Sequence, residues 1–238
     1  MLISETFTSL QGEGLLTGVP SWFCRLSGCN LRCTWCDTPY ASWDPEGTTR
    51  GVEDLVAEAR DSGVRHAVVT GGEPMIFPEI VPLCAGLRAA GLHVTIETAG
   101  TVDRDIEFDL MSLSPKLSNS TPMGDPRDPN GKWARLHEQR RIDLVALQGL
   151  MDRADPALHP GRARQLKFVV TRPGDLAEID DLIARINGWR PEEIMLMPEG
   201  VTVPDPERTL FVVDACLARG WRYCHRLHIE LFGNRRGT

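Results

Sequence analysis

The sequence has no apolar stretch approaching the roughly 18 residues that a membrane span requires. Its N-terminus lacks a basic segment followed by an apolar run, and basic residues are not in excess, since 26 Lys and Arg stand against 33 Asp and Glu for a net charge of −7. A secretory leader, a membrane partner and a nucleic-acid backbone as main partner are therefore not expected. We expect a cytoplasmic protein.

Internal repeats and low-complexity segments are also missing, and 42% hydrophobic with 25% charged residues is the composition of a folded globular protein. The length of 238 residues suits one large domain. We expect a single domain over residues 1–238, with an excursion at about 119–161, where several prolines surround a polar stretch, 132–151, that is expected to be helical.

Short apolar runs alternate after residue 50 with segments of helical periodicity, at 52–59, 80–87 and 176–186. The expected strands are 21–26, 66–70, 93–97, 109–114, 165–171, 194–197 and one near 223–229. Continuous apolar runs are typical of strands covered on both faces, and the alternation with helices favours a parallel sheet with right-handed crossovers. The sequence predicts an α/β fold with a mostly parallel sheet of about six strands. We expect an incomplete, TIM-like β/α barrel, because a complete barrel takes about 250 residues; a doubly wound open sheet is the alternative.

Three of the seven cysteines, Cys29, Cys33 and Cys36, lie within eight residues. In a reducing compartment, cysteines so close together bind metal more often than they form disulfides. Thiolates select zinc or iron-sulfur clusters. A structural zinc site needs a fourth protein ligand, and no second paired-cysteine motif supplies one. A 4Fe-4S cluster held by three cysteines instead leaves one iron open to an external ligand, so the spacing favours the cluster.

The cysteine spacing resembles that of the radical S-adenosylmethionine (SAM) enzymes, and three further motifs agree with it: Thr70-Gly-Gly-Glu-Pro74, Glu97-Thr-Ala-Gly100 and Ser114-Pro-Lys116. The N-terminal segment, with Gln11-Gly-Glu-Gly14 before the cysteines, closely resembles the 7-carboxy-7-deazaguanine synthases. This resemblance runs from the start of the chain to Lys116 and more thinly to His228.

The resemblance implies a radical SAM carbon-nitrogen lyase of queuosine and deazapurine biosynthesis, the pathway that feeds tRNA modification and purine metabolism. Such an enzyme converts 6-carboxy-5,6,7,8-tetrahydropterin to 7-carboxy-7-deazaguanine with loss of ammonia. Its reduced cluster cleaves SAM to a 5′-deoxyadenosyl radical, which abstracts hydrogen from C6 of the pterin. The cofactors implied are the 4Fe-4S cluster, SAM and Mg²⁺.

Roles follow for individual residues of this sequence, although no residue is assigned as a catalytic acid or base. Cys29, Cys33 and Cys36 are implied as the cluster ligands, and Thr38 as the magnesium ligand. The residues implied to bind SAM are Trp35, Asp37, Gly72, Glu73, Glu97, Ser114, Pro115, Lys116, Met197, Pro198, Glu199 and Gly200. The residues implied to bind substrate are Leu10, Gln11, Gly12, Glu13, Arg25, Thr70 and His228.

The residue types suit these roles. A carboxylate such as Glu13 accepts from the amino and ring N–H groups of a pterin edge, and Gln11 can donate as well as accept. Arg25 can bind the substrate carboxylate with two parallel hydrogen bonds. Glu73 is expected at the amino group of SAM, and His228 is expected on the last strand.

The resemblance also implies an electron donor such as flavodoxin or ferredoxin, and a homodimer. Two other functions stay open. A glycyl-radical-enzyme activating enzyme shares the cysteine spacing but has no need of the Gln11 to Glu13 turn with Arg25. The second is a non-catalytic zinc-binding interaction module. The remaining thiols Cys84, Cys216 and Cys224 are expected to be packed, and the tail 233–238 differs from the short C-termini of some family members.

Overall fold

The computed structural model describes all residues, 1–238, and places them around one nine-stranded sheet. The strands are β1 (Leu2–Leu10), β2 (Pro20–Leu26), β3 (Thr48–Thr49), β4 (His66–Gly71), β5 (His93–Thr98), β6 (Leu110–Leu113), β7 (Ala163–Val170), β8 (Ile194–Pro198) and β9 (Arg222–Tyr223). The α-helices are α1 (Pro39–Ser42), α2 (Val52–Asp61), α3 (Ile80–Ala89), α4 (Lys132–Arg140), α5 (Leu144–Arg153), α6 (Asp175–Ile183), α7 (Pro206–Arg219) and α8 (Leu227–Phe232). None of these helices has the length and hydropathy to cross a membrane.

The strand order is β3-β1-β2-β4-β5-β6-β7-β8-β9. Every neighbouring pair from β2 to β9 is parallel, whereas β1 is antiparallel to both β2 and β3. The two edge strands β3 and β9 do not pair with each other, so the sheet stays open. The expected α/β fold with an incomplete barrel is confirmed.

The two faces of the sheet differ in chemistry, because successive side chains of a strand point to opposite faces. One face packs apolar side chains such as Val69, Ile96 and Phe168 against the helices in a continuous core. The opposite face carries polar side chains, including Thr70 on β4 and Lys167 on β7, both of which are buried. Residues of this second face form one wall of the cavity described below.

The sheet has nine strands where about six were expected, and two individual elements also differ from the sequence expectations. Strand β1 was not expected, because Ser, Glu and Thr residues interrupt its apolar character and leave most of it half-buried. The expected strand at 223–229 is wrong: β9 ends at Tyr223, and His228 lies on helix α8. A short alternating segment such as Leu-His-Ile-Glu-Leu fits a strand and a helix equally well, and periodicity alone does not separate them.

The excursion at 119–161 contains two helices rather than one, α4 and α5. Helix α5 places Leu147, Leu150 and Met151 in the core, so this part of the segment is the ordinary crossover between the parallel strands β6 and β7. Only the residues before α5 form an addition to the repeating pattern.

Candidate active site

A cavity of about 460 Å³ lies on the polar face of the sheet, by the carboxyl ends of the parallel strands. Residues with predicted site roles that line it are Leu10, Gln11, Gly12, Glu13, Arg25, Cys29, Cys33, Trp35, Cys36, Asp37, Thr38, Thr70, Gly72, Glu97, Ser114, Lys116, Met197 and His228. Those with predicted roles that do not line it are Glu73, Pro115, Pro198, Glu199 and Gly200. The structure therefore gathers most of the predicted residues in one place.

The three clustered cysteines lie on the segment 27–38 between β2 and α1, here called the cluster loop, and all three line the cavity. The Leu31 backbone N–H donates to Cys29 Sγ at 3.4 Å, and Cys36 Sγ lies 3.2 Å from Ser42 Oγ. Burial raises the pKa of the Cys29 thiol to about 12.

No three His, Cys, Asp or Glu side chains stand close enough together to hold a single metal ion. Three thiol groups from one loop that line a shared cavity fit a multi-iron cluster, whose cysteines each bind a separate iron. The donor set thus suits an iron-sulfur cluster rather than zinc.

Gly72 brings the loop after β4 into contact with the cluster loop. A Cβ atom on Gly72 would lie 2.0 Å from the Gly28 carbonyl oxygen, so no larger residue fits. In the same place the Glu73 N–H donates to Gly28 O at 2.9 Å. Glycine here permits the close approach of two backbones.

The Glu73 side chain is fully buried and faces other protein groups instead of the cavity. It accepts hydrogen bonds from Met75 N at 3.0 Å, Thr98 Oγ1 at 2.7 Å and Ala99 N at 2.8 Å. Burial raises the pKa of Glu73, and these three donors act in the opposite direction. In this structure Glu73 joins the loops after β4 and β5, and the contact with the amino group of SAM stays a prediction.

Glu97 lies among residues predicted to bind substrate, although the resemblance placed it with the SAM group. Gln11 Nε2 donates to its Oε1 at 3.2 Å, and Thr70 Oγ1 donates to its Oε2 at 2.9 Å. All three side chains line the cavity.

Glu13 is held by two cations that sequence reasoning missed. It forms an ion pair with Lys167, and Arg226 Nε donates to its Oε1 at 3.1 Å. Burial alone would raise the pKa of Glu13, but the attraction of Lys167 and Arg226 outweighs it and holds this pKa well below its usual value. A lysine inside the apolar run of β7 was the available signal for this contact.

Arg226 joins three separate segments of the site. Besides Glu13, it binds the Asp37 carboxylate of the cluster loop and the carbonyl oxygen of Gly200. Gly200 was predicted to contact SAM, but its carbonyl is used by Arg226 and it does not line the cavity.

Arg25 is oriented from one side only. Its Nε donates to Glu5 Oε1 at 2.7 Å, and Tyr40 OH donates to the same oxygen at 2.9 Å. Its guanidinium lies 5.7 Å from the centre of the Phe7 ring. The two Nη groups have no protein partner, so they are available to a carboxylate in the cavity.

The C-terminal region closes the cavity from another side. The Leu227 N–H donates to Gly12 O at 2.9 Å, and the His228 ring packs so closely on Gly12 that a Cβ there would lie 1.9 Å from His228 Nδ1. Asn234, Arg235, Arg236 and Thr238 also line the cavity, although the sequence left their contribution open.

Four of the residues predicted for SAM that line the cavity contact one another: Trp35, Ser114, Lys116 and Met197. Lys116 Nζ donates to Ser114 O at 2.9 Å and to Ser114 Oγ at 2.8 Å, and lies 5.8 Å from the centre of the Trp35 ring. Met197 packs beside Trp35 in a small apolar cluster with Cys224. The thiols Cys84, Cys216 and Cys224 are all free and buried.

Comparison with known proteins identifies the family. A sequence model of the radical SAM superfamily matches residues 25–114. A 7-carboxy-7-deazaguanine synthase from Rhodopirellula baltica is 48% identical over 239 residues, covering 100% of this chain and 89% of the relative. A synthase of the same name from Halobacterium salinarum is 44% identical, covering 98% of this chain and 90% of the relative.

Among solved structures, the crystal structure of QueE from Escherichia coli matches with a TM-score of 0.70 at 28% sequence identity, covering 95% of this chain and 94% of that one. The chain belongs to the 7-carboxy-7-deazaguanine synthases, a family of radical SAM enzymes.

Proposed function

We propose that this protein converts 6-carboxy-5,6,7,8-tetrahydropterin to 7-carboxy-7-deazaguanine with loss of ammonia, and that one domain over residues 1–238 does so. The observation that carries the proposal is a single cavity that holds both the three-cysteine loop and a set of groups matched to a carboxylated pterin, namely Glu13, Arg25 and Glu97. Neither a glycyl-radical activating enzyme nor a zinc module has use for this second set.

The cofactor side of the cavity is formed by the cluster loop and the loops after β4 and β6. Cys29, Cys33 and Cys36 would hold the 4Fe-4S cluster, and Lys116 with Trp35 would contact SAM. When bound, the cluster and SAM supply the organic radical that abstracts hydrogen from the substrate. The protein's own groups place the substrate and exclude water from it.

The substrate side of the cavity offers the Arg25 cation to the substrate carboxylate and the Glu13 and Glu97 anions to the pterin ring. The free Nη groups of Arg25 would bind the substrate carboxylate through parallel hydrogen bonds. Glu13, which Lys167 and Arg226 keep ionised, would accept from N–H groups of the pterin edge. Glu97 would accept from a further N–H group once Gln11 or Thr70 gives up its contact.

His228 would contact the substrate in its neutral form. Burial lowers the pKa of His228, as does Arg226, while Glu13 acts to raise it, and the net shift is downward. A neutral ring offers one donor and one acceptor, which suits a heterocycle that presents both.

Four finer features stay predictions. We propose that Thr38, whose side chain lines the cavity beside Asp37, provides an oxygen ligand to Mg²⁺, an ion that favours oxygen ligands and keeps several waters. A small electron-transfer protein as reductant, a homodimer and a cytoplasmic location complete the proposal. To test whether Thr38 binds Mg²⁺, the activities of wild type and of Thr38→Ala would each be measured with and without Mg²⁺.

The main experiment is an anaerobic assay of iron-reconstituted protein with SAM, a reductant, Mg²⁺ and 6-carboxytetrahydropterin. Mass spectrometry would measure 5′-deoxyadenosine and 7-carboxy-7-deazaguanine, and both are expected. 5′-Deoxyadenosine without the deazapurine would refute the substrate, and neither product from protein that holds its cluster would refute the enzymatic proposal. Cys33→Ala should abolish both products, while Cys84→Ala, in the core away from the cavity, should retain them.

A further inference from the structure

The cluster loop has almost no regular secondary structure, so its backbone needs partners from elsewhere. Several of these partners come from residues 117–137, most of which belong to the expected excursion at 119–161. We propose that His137 of α4 is a positioning residue that fixes the cluster loop against the loop after β6. This inference rests on the proposed role of Cys29, Cys33 and Cys36 as cluster ligands.

The first step of the argument is a continuous chain of hydrogen bonds. The Arg32 backbone N–H, between Cys29 and Cys33, donates to His137 Nδ1 at 3.2 Å. Because Nδ1 accepts, the neutral ring carries its proton on Nε2, which lies 2.8 Å from Ser120 Oγ. The Ser120 hydroxyl then donates to Leu117 O at 2.6 Å.

The second step concerns the two ends of this series of hydrogen bonds. The series starts in the middle of the cluster loop and ends at Leu117, the residue directly after Lys116 of the predicted SAM group. His137 and Ser120 have no solvent exposure, and Leu117 is buried as well. No water competes for these bonds, so the relative position of the two loops depends on them.

The third step concerns two neighbouring hydrogen bonds, which also hold the cluster loop against residues 119–120. The Thr34 N–H donates to Ser120 O at 2.8 Å, and Trp35 Nε1 donates to Asn119 O at 3.1 Å. The interval between Cys33 and Cys36 is therefore bound to residues 119–120, and the interval between Cys29 and Cys33 is bound to His137, which itself contacts Ser120.

The Arg32 side chain adds a link to α4. Its Nη1 donates to Cys29 O at 2.7 Å and to Leu31 O at 2.8 Å, and its guanidinium lies 4.0 Å from the centre of the Trp133 ring. Trp133 and His137 are one turn apart on α4, so one helix holds the loop by its backbone and by a side chain.

The consequence is that α4 should control how firmly the cluster is held and how SAM meets it, rather than the radical chemistry itself. Partners that orient metal ligands from behind commonly change metal affinity or activity by about 10- to 100-fold when removed. An ordinary core histidine would instead affect the stability of the folded chain alone.

The test compares wild type with His137→Ala, His137→Asn and the control His159→Ala, which alters an exposed histidine of the same excursion. Asn keeps an acceptor near the position of Nδ1 for the Arg32 N–H. Three properties would be measured: the rate at which an iron chelator removes the reconstituted cluster, the change that SAM produces in the EPR signal of the reduced cluster, and the melting temperature of the apoprotein.

We expect His137→Ala to lose its cluster about tenfold faster and to show a weakened EPR response to SAM. We expect Asn to recover most of the difference and His159→Ala to match wild type. Wild-type chelation and EPR behaviour in His137→Ala, with or without a lower melting temperature, would overturn the inference. If His137→Ala does not fold, Ser120→Ala tests the same series of hydrogen bonds. Wild-type chelation and EPR behaviour in Ser120→Ala would then overturn the inference.

Cys29→Ala separates this inference from the proposed function. A chain without this thiol should hold no stable cluster whatever residue occupies position 137. Full iron content in Cys29→Ala would refute the ligand assignment, whereas a normal His137→Ala beside an iron-free Cys29→Ala would refute only the positioning role.

Discussion

Replacing Lys167 by methionine removes a buried cation while keeping most of the volume of its side chain. The Lys167 side chain is 8% exposed and its partner Glu13 is 14% exposed, so solvent does little to compensate. Breaking a buried ion pair costs about 3–5 kcal/mol when the other charge is left alone. Arg226 remains 3.1 Å from Glu13, so we expect a smaller loss, about 1–3 kcal/mol, in the free energy of unfolding.

The effect should depend on pH in a defined direction. The pKa of Glu13 is lowered in the folded chain, so its stabilising contribution is present above the unfolded value of about 4.3 and is lost as the pH falls through the lower folded value. The pKa of Lys167 is raised against the opposing effect of burial, so its contribution is present below about 10.4 and is lost as the pH rises through the higher folded value. The difference between wild type and variant should thus be greatest between about pH 5 and pH 10.

Urea unfolding of the apoproteins at pH 3, 7 and 9 would measure this difference, and steady-state assays would give the KM for the pterin. We expect KM to rise while the cluster content stays normal, because Lys167 pairs with Glu13 and makes no hydrogen bond to Cys29, Cys33 or Cys36. Lys132→Met, at an exposed lysine of α4, should change stability by less than about 0.5 kcal/mol. Equal stability of Lys167→Met and wild type at pH 7 together with an unchanged KM would refute the reasoning.

Three further substitutions test other contacts of the site. Gly12→Ala would force a Cβ to 1.9 Å from the His228 ring, and we expect the pterin KM to rise by about tenfold or more in steady-state assays. Arg25→Met would remove the free Nη donors, and we expect the pterin KM to rise by about 10- to 100-fold, with iron content per chain unchanged. Glu73→Gln would place an amide N–H group against the Thr98 hydroxyl or the Ala99 N–H, both of which now donate to the Glu73 carboxylate. Urea unfolding should show a loss of about 1–3 kcal/mol in the free energy of unfolding.

Each has a matched control in the same chain. Gly174→Ala adds a Cβ with no atom within 4 Å, Arg140→Met removes an exposed guanidinium of α4, and Glu53→Gln neutralises an exposed carboxylate of α2. If a control variant showed an effect as large as that of the site variant it is paired with, the effect could not be attributed to the contact that the site variant removes. A Glu73→Gln protein as stable as wild type would show that its carboxylate is not needed to join the two loops.

The parts of the site that the sequence predicted are those carried by local motifs. The cysteines and the loops after β4, β5 and β6 each follow a strand, and parallel strands bring their carboxyl ends to the same edge. The helical periodicity that predicted α2, α3 and α6 was sufficient because each buries one apolar face.

The missed parts depend on contacts between distant residues. Glu13 meets Lys167 across 154 positions and Arg226 across 213. The lysine in the apolar run of β7 signals a buried charge, but no local pattern identifies the partner of that charge. Glu5 and Tyr40 orient Arg25 from two different elements for the same reason. His228 lines the cavity, and its predicted substrate contact stays a prediction. Its element was predicted wrongly, because its role came from resemblance and its strand from a short alternation.

The placement of Glu13, Lys167, Arg226 and His228 has a consequence for how the enzyme can diversify. The stretch shared with the wider superfamily, 25–114, contains the cysteines and the loops after β4 and β5, whereas these four residues all lie outside it. Under the proposed function, part of the substrate side is therefore supplied from outside the shared stretch, although Arg25 and Glu97 lie inside it. The N-terminal and C-terminal segments meet where the Leu227 N–H donates to Gly12 O. Under the same proposal, substitutions near either terminus would change contacts to the substrate ring while leaving Cys29, Cys33 and Cys36 in place.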